Sequence, residues 1–239
     1  MAGGLGTRLR AAVPDLPKPM APVGGRPFLE HLLDHWIGQG VTRFILSVGY
    51  RSQAITGHFG AAFHGAAIDY AIEERPLGTG GGLLLAIRSL AAPGAFLVLN
   101  GDTWFEAPLG ALREFHAARR AEITLSLFRS QQQGRYTGLR LGAAGEVISL
   151  QAGVTGGLAN GGVYLMERSP LESGPWQSSS PVSLEEDILP FALQGGKRVF
   201  GLECSGRFLD IGVPADYARA AEMLGAQLGN GKWEMGNRK

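Results

Sequence analysis

A run of glycines and arginines, Gly3-Gly4-Leu5-Gly6-Thr7-Arg8-Leu9-Arg10, lies almost at the start of this 239-residue chain. Glycines let backbone N–H groups crowd against an anion, and a helix start behind them adds partial positive charge. Arg8 and Arg10 supply guanidinium groups that pair with phosphate oxygens in a fork. Three further clusters carry chemistry: Pro76 to Gly82, Asn100-Gly101-Asp102, and Asp210-Ile211-Gly212. Each follows a short apolar run, so each falls where ligands gather at the carboxyl ends of strands in an open parallel sheet. Two carboxylates, Asp102 and Asp210, beside a polyphosphate require a cation between them, and Mg²⁺ is the hard, oxygen-preferring choice. Taken singly, the glycine run is equally a helix cap, and Asp102 and Asp210 are equally turn or capping residues. Gly80-Gly81-Gly82 alone would serve as a linker. Order and placement favour one shared site.

The elements that must position these clusters follow from hydrophobic periodicity. Phe28, Leu32, Leu33, Trp36 and Ile37 share one face of a helix running to Gln39. Phe44 to Val48, Ile68 to Ile72 and Phe96 to Leu99 are strand-like, Ser52 is a candidate N-cap for a helix to Phe59, and Gly78 to Ser89 is a glycine-opened helix. This alternation predicts an α/β fold: a doubly wound, mostly parallel, Rossmann-like mixed sheet with helices on both faces. Ile123 to Phe128, Leu139 to Leu141, Val147 to Leu150 and Val163 to Met166 add strands with little helix between them, which predicts a small antiparallel lid region. Ser169 to Pro181 reads as a surface loop, Ser183 with Glu186 has capping-box spacing, and Pro214 opens a last helix to about Leu228. One domain is expected over residues 1–228, in two halves that meet at about residue 120. A flexible tail is expected over 229–239.

Composition narrows the function. A formal net charge of +1 argues against a broad nucleic-acid-binding surface. The single cysteine, Cys204, excludes an internal disulfide, suits a reducing cytoplasm, and reads as a buried, inert thiol. No apolar run approaches the roughly 20 residues that span a bilayer, and no signal-peptide pattern is present. His31 and His35 share a helix face, but a structural role is expected for both, and Trp104 reads as a packing residue.

The ordered clusters resemble the signature of the sugar-1-phosphate nucleotidyltransferases. The resemblance is carried by Gly3 to Arg10, Pro17-Lys18-Pro19-Met20, Pro76-Leu77-Gly78-Thr79-Gly80-Gly81, Asn100-Gly101-Asp102, Asn160-Gly161-Gly162 and Asp210-Ile211-Gly212. Met20-Ala21-Pro22-Val23 and Gly78-Thr79-Gly80-Gly81 look most like the D-glycero-D-manno-heptose 1-phosphate guanylyltransferases within that family. The resemblance implies a nucleoside triphosphate and a sugar 1-phosphate as substrates, Mg²⁺ as cofactor, and a nucleotide-sugar for surface glycans plus pyrophosphate as products. It implies that Gly3, Gly4, Gly6, Thr7 and Arg8 hold the triphosphate and that Lys18 neutralises the reacting phosphates. Leu77, Gly78 and Thr79 would lie against the base, with Asn100 and Gly101 on the nucleotide. Asp102 and Asp210 would bind the metal, and Tyr136, Gly138, Asn160 and Gly161 the sugar. Arg8, Lys18 and Asp102 are the expected catalytic residues, and a homodimer is the favoured assembly.

Three departures accompany the resemblance. Relatives carry an apolar strand ahead of the glycine loop, where only Met1 and Ala2 precede it here, so a truncated start is expected. They also carry a Glu-Lys pair where this chain reads Gln151-Ala152-Gly153, which leaves Lys18, or Arg135 or Arg140, to take a larger share of phosphate charge. Third, Thr137 separates Tyr136 from Gly138. Two other readings stand beside the guanylyltransferase: a uridylyltransferase for an amino-sugar 1-phosphate, and a non-catalytic nucleotide-sugar-binding subunit.

Overall fold

The computed structural model describes residues 16–90, 93–130, 136–152, 157–176 and 180–228. The glycine loop, Arg135 and the tail over 229–239 therefore lie outside the described residues.

After a 3₁₀ turn at Lys18–Met20, a short hairpin of Pro22–Val23 (β1) and Arg26–Pro27 (β2) feeds helix α1, Phe28–Gly38. Its apolar face is buried as the periodicity predicts, with Phe28, Leu32, Leu33 and Trp36 inside. Arg43–Val48 (β3), helix α2 (Ser52–Phe59), Ala62–Phe63 (β4) and Ala66–Ile72 (β5) form a three-stranded sheet ordered β3-β5-β4, with β3 and β5 parallel. The expected Ser52 cap is not what starts α2. Arg51 occupies the N-cap position in the left-handed region at φ 50°, no side chain caps the helix, and Ser52 is its first residue.

Helix α3 (Gly78–Ala86) leads through a 3₁₀ turn to Phe96–Leu99 (β6), Thr103–Phe105 (β7) and helix α4 (Leu109–Ala118). The second half supplies Ile123–Arg129 (β8), Thr137–Leu141 (β9), Val147–Ala152 (β10) and Leu158–Met166 (β11). Then come a helical turn α5 (Ser169–Glu172), helix α6 (Leu189–Gln194), Val199–Glu203 (β12), Phe208–Asp210 (β13) and helix α7 (Pro214–Leu228). The larger sheet runs β10-β9-β11-β8-β12, with β6 also on β11. It is mixed, as expected: β12 runs parallel to β8, whereas β11 is antiparallel to β6, β8 and β9. Antiparallel pairs predominate among the described residues because β11 lies between strands of opposite direction. The loop expected over Ser169 to Pro181 contains α5, whose Pro170 and Leu171 are buried.

Among the described residues β3 has a strand neighbour only on its β5 side, and β6 only on its β11 side. Between them lies a cleft of about 1220 Å³, floored by Leu29, Leu32 and Leu33 of α1 and by Leu83 of α3. No helix of the described residues is long and apolar enough to cross a membrane.

Two histidines are held in apolar surroundings. Burial lowers the pKa of His116 below its ordinary 6.5 despite nearby Glu167, and burial lowers that of His35 despite Glu106. The unfolded chain then binds protons that the fold does not. This part of the stability is full above about pH 6.5 and is lost as pH falls from there toward the folded-state pKa values. Melting temperature should therefore drop between pH 7 and pH 5, and His116→Gln should flatten that slope; an unchanged slope contradicts the assignment.

Candidate active site

Lys18 stands on the first 3₁₀ turn, between Pro17 and Pro19, which restrict the backbone around it. Its Nζ donates to Asp102 Oδ2 at 2.6 Å, with the ammonium-bearing side chain 17% exposed and the carboxylate 37%. Asp102 closes the turn between β6 and β7. Strand β7 pairs antiparallel with β13, Thr103 opposite Asp210, and the Ile211 N–H donates to the Asp102 carbonyl at 3.1 Å. The two carboxylates expected to share a cation thus stand at the same end of one two-stranded ribbon. Asp210 accepts from the Gly212 N–H at 2.8 Å, and a Cβ on Gly212 would stand 2.1 Å from Lys18 Nζ and 2.8 Å from Asp210 Oδ1. Gly212 is therefore a glycine because Lys18 passes over it. Two carboxylates of this kind, with phosphate oxygens to complete the shell, fit a hard divalent cation such as Mg²⁺. Among the described residues no group of three or more acidic, His or Cys side chains converges on a metal position.

The Pro76 to Gly82 segment runs through the Leu77 N-cap into the first turn of α3 and is not a linker. The Gly80 and Gly81 N–H groups both donate to the Val182 carbonyl (2.8 and 3.1 Å), and the Val182 N–H returns a bond to Leu77 O at 2.7 Å. Gly78 has φ +78°, and a Cβ there would lie 2.4 Å from Val182 O. From the other side Glu73 Oε2 accepts from the Leu77 N–H at 3.0 Å, while Oε1 accepts from the Ser47 hydroxyl at 3.0 Å. The loop is clamped between β3 and the 182–185 segment.

The lid side centres on β11. Asn160 Nδ2 donates to the Tyr164 hydroxyl at 2.6 Å, and its Oδ1 accepts from the Gly162 N–H at 3.1 Å. Gly161 lies under the Phe105 ring, where a Cβ would come within 2.3 Å. Asn100 donates its backbone N–H to Gly162 O at 2.9 Å, and Gly101 is buried beside it. Asn100 Oδ1 and Thr103 Oγ1 are buried without a partner among the described residues. Tyr136 stacks edge-on against Phe128 (5.2 Å) and Phe208 (5.5 Å), and Gly138 is buried opposite Ala159. Trp104 is a packing residue at 2% exposure. Cys204 is buried, and burial pushes its thiol up to about 11, which disfavours the thiolate.

Of the expected site residues, Lys18, Asp102 and Asp210 meet, Leu77 to Thr79 form a clamped loop, and Asn100 and Asn160 meet around Gly162. Gly3, Gly4, Gly6, Thr7 and Arg8 lie outside the described residues. Glu73 and Glu185 are structural partners that the motifs do not flag. Ser183 does cap as its spacing predicts, accepting from the Glu186 N–H at 3.0 Å. The reciprocal bond comes from Asp187 instead of Glu186, because residues 184–188 form a π-turn with one extra residue per turn.

The nucleotidyl transferase family model matches residues 1–227 of the chain. The chain belongs to this family. A D-glycero-alpha-D-manno-heptose 1-phosphate guanylyltransferase from Aneurinibacillus thermoaerophilus is 37% identical over 233 residues, covering 94% of this nucleotidyl transferase and 96% of the relative. The enzyme of the same description from Campylobacter jejuni is 35% identical over 221 residues, covering 91% and 95% of the two chains. HddC from Yersinia pseudotuberculosis, solved in complex with GMP-PN, superposes with a TM-score of 0.80 at 33% identity, over 93% of this chain and 96% of that one.

Proposed function

We propose that this nucleotidyl transferase moves a guanylyl group from GTP to a heptose or mannose 1-phosphate for surface glycan synthesis. The observation that carries this reading is the 37% identity to a heptose 1-phosphate guanylyltransferase across 94% of the chain. A phosphate oxygen of the sugar 1-phosphate attacks the α-phosphorus of the triphosphate. The bond from that phosphorus to the α,β-bridging oxygen breaks, and pyrophosphate leaves with the electron pair. Such transfers ask the protein mainly to align two anions and neutralise charge, so no Ser-His-Asp arrangement is required.

In this reading residues 1–120 hold the nucleotide, and residues 121–228 hold the sugar and close over it. Gly3 to Thr7 and Arg8 cradle the triphosphate, and Leu77, Gly78 and Thr79 take the base. Lys18 neutralises the α-phosphate and the incoming sugar phosphate, and it exchanges Asp102 for phosphate oxygens when they arrive. Asn160 and Gly161, with Tyr136 and Gly138, orient the sugar. Asp102 and Asp210 would hold Mg²⁺, which when bound supplies positive charge to the phosphate oxygens.

Pyrophosphate release is the test, with Mg²⁺, each nucleoside triphosphate in turn, and a panel of sugar 1-phosphates. Release with GTP and a heptose or mannose 1-phosphate is the expected result. Release with UTP alone, or with no pair at all, overturns the reading.

A further inference from the structure

We infer that Glu185 is a positioning residue that couples the base side of the site to the sugar side. The inference rests on the reading above, in which Thr79 lies at the base and Asn160 at the sugar. The two carboxylate oxygens of Glu185 face different halves of the molecule. Oε2 accepts from the Thr79 hydroxyl at 2.9 Å, on the first turn of α3. Oε1 accepts from the Tyr164 hydroxyl at 3.1 Å, on β11.

Both hydroxyls are committed in direction. The Thr79 oxygen accepts from the Leu184 N–H at 2.8 Å, so its own proton goes to Glu185. The Tyr164 oxygen accepts from Asn160 Nδ2 at 2.6 Å, so its proton also goes to Glu185. The Asn160 amide is itself fixed, because Oδ1 takes the Gly162 N–H. A single carboxylate thus sets the orientation of a hydroxyl in the base loop and, through a fully buried tyrosine, of the amide at the sugar. Burial and the adjacent carboxylate hold the Tyr164 phenol well above its ordinary range, so the relay keeps its polarity across the working pH range.

A glutamine at position 185 cannot replace this arrangement. One of its two terminal atoms is an N–H₂ group, which cannot accept the proton that the facing hydroxyl donates. Either Thr79 or Tyr164 then loses its partner. Ligand that tightens the 77–81 loop against Val182 fixes Glu185, and through it Asn160; by linkage, sugar binding must tighten the nucleotide equally.

Calorimetry on the full chain tests the coupling, with a non-hydrolysable GTP analogue and mannose 1-phosphate as probes. Mannose 1-phosphate should tighten analogue binding by about fivefold or more, the lower end of typical coupling. In Glu185→Gln the enhancement should fall to less than about twofold, with each ligand's separate affinity changing less than the coupling does. Full enhancement in the variant overturns the inference, as does its absence from the unaltered protein when both ligands bind. A second measurement needs no substrate: amide exchange at Gly80 and Gly81 should quicken in Tyr164→Phe, although Tyr164 touches neither. Unchanged exchange there overturns the coupling. Failure of both ligands to bind, with exchange altered as expected, would instead sink the guanylyltransferase reading and leave the relay standing.

Discussion

Replacing Lys18 with methionine should lower turnover by about a hundredfold or more, the magnitude lost when one positioned charge-stabilising donor is removed from a preorganised site. Methionine keeps the apolar stem and deletes only the ammonium. Among the described residues the next lysine in the chain, Lys197, is paired with Glu122 at 3.3 Å and does not take its place. The ion pair of Lys18 with Asp102 also means that deletion leaves a carboxylate facing the phosphates alone. A loss below tenfold would mean that Lys18 is not the principal phosphate partner. Gly212→Ala is the companion variant. Its Cβ would meet Lys18 Nζ, the mobile end of a long side chain, so the cost to stability should be small while turnover falls; equal losses in both would contradict that geometry.

Gly78→Ala should destabilise the fold by about 3–5 kcal/mol, combining a left-handed backbone that L side chains resist with an intrusion into packed backbone. For a chain of this size that corresponds to a fall of about 10 °C in melting temperature. The intruded atom, Val182 O, is the acceptor for both Gly80 and Gly81, so the methyl group would push away the anchor of the whole loop. Nucleotide affinity should therefore fall with stability. Gly57→Ala, where a Cβ meets nothing within 4 Å, is the control and should raise stability or leave it unchanged. A Gly78→Ala protein that melts within 2 °C of the original, a shift of about 1 kcal/mol or less, would show that the clamp is not needed.

Much of this was legible in the sequence because it depends on local patterns. The helix at Phe28–Gly38 announces itself by an apolar face of 3.6 period, and the strands Arg43–Val48 and Phe96–Leu99 by short apolar runs. Asp102 and Asp210 were legible for another reason: each follows such a run, and strand ends are where this kind of sheet gathers ligands, whereas Lys18 was legible only through the resemblance to the family's motif. What periodicity does not reach is the short ribbon of Thr103–Phe105 with Phe208–Asp210, three residues a side, although that pairing brings the two aspartates to one end. The start of α2 was misjudged because Arg51, a residue with no special affinity for positive φ, takes the turn that Ser52 was expected to cap. Glu185 was visible only as part of a capping motif. Its partners lie 106 and 21 residues away, and no local spacing encodes them.

The π-turn at Leu184–Ile188 is what aims Glu185. Relaxing that turn to an ordinary helix by deleting one residue would rotate what precedes it by about 100° relative to α6. Val182, which anchors the 77–81 loop, and Glu185, which joins Thr79 to Tyr164, lie on opposite sides of the Ser183 cap. An alignment that slipped by a single position here would set Glu186 where Glu185 stands, keep a glutamate there, and still misassign the contact. In this chain the phase of one helical turn, more than the acidic character of the segment, sets which carboxylate reaches Thr79 and Tyr164.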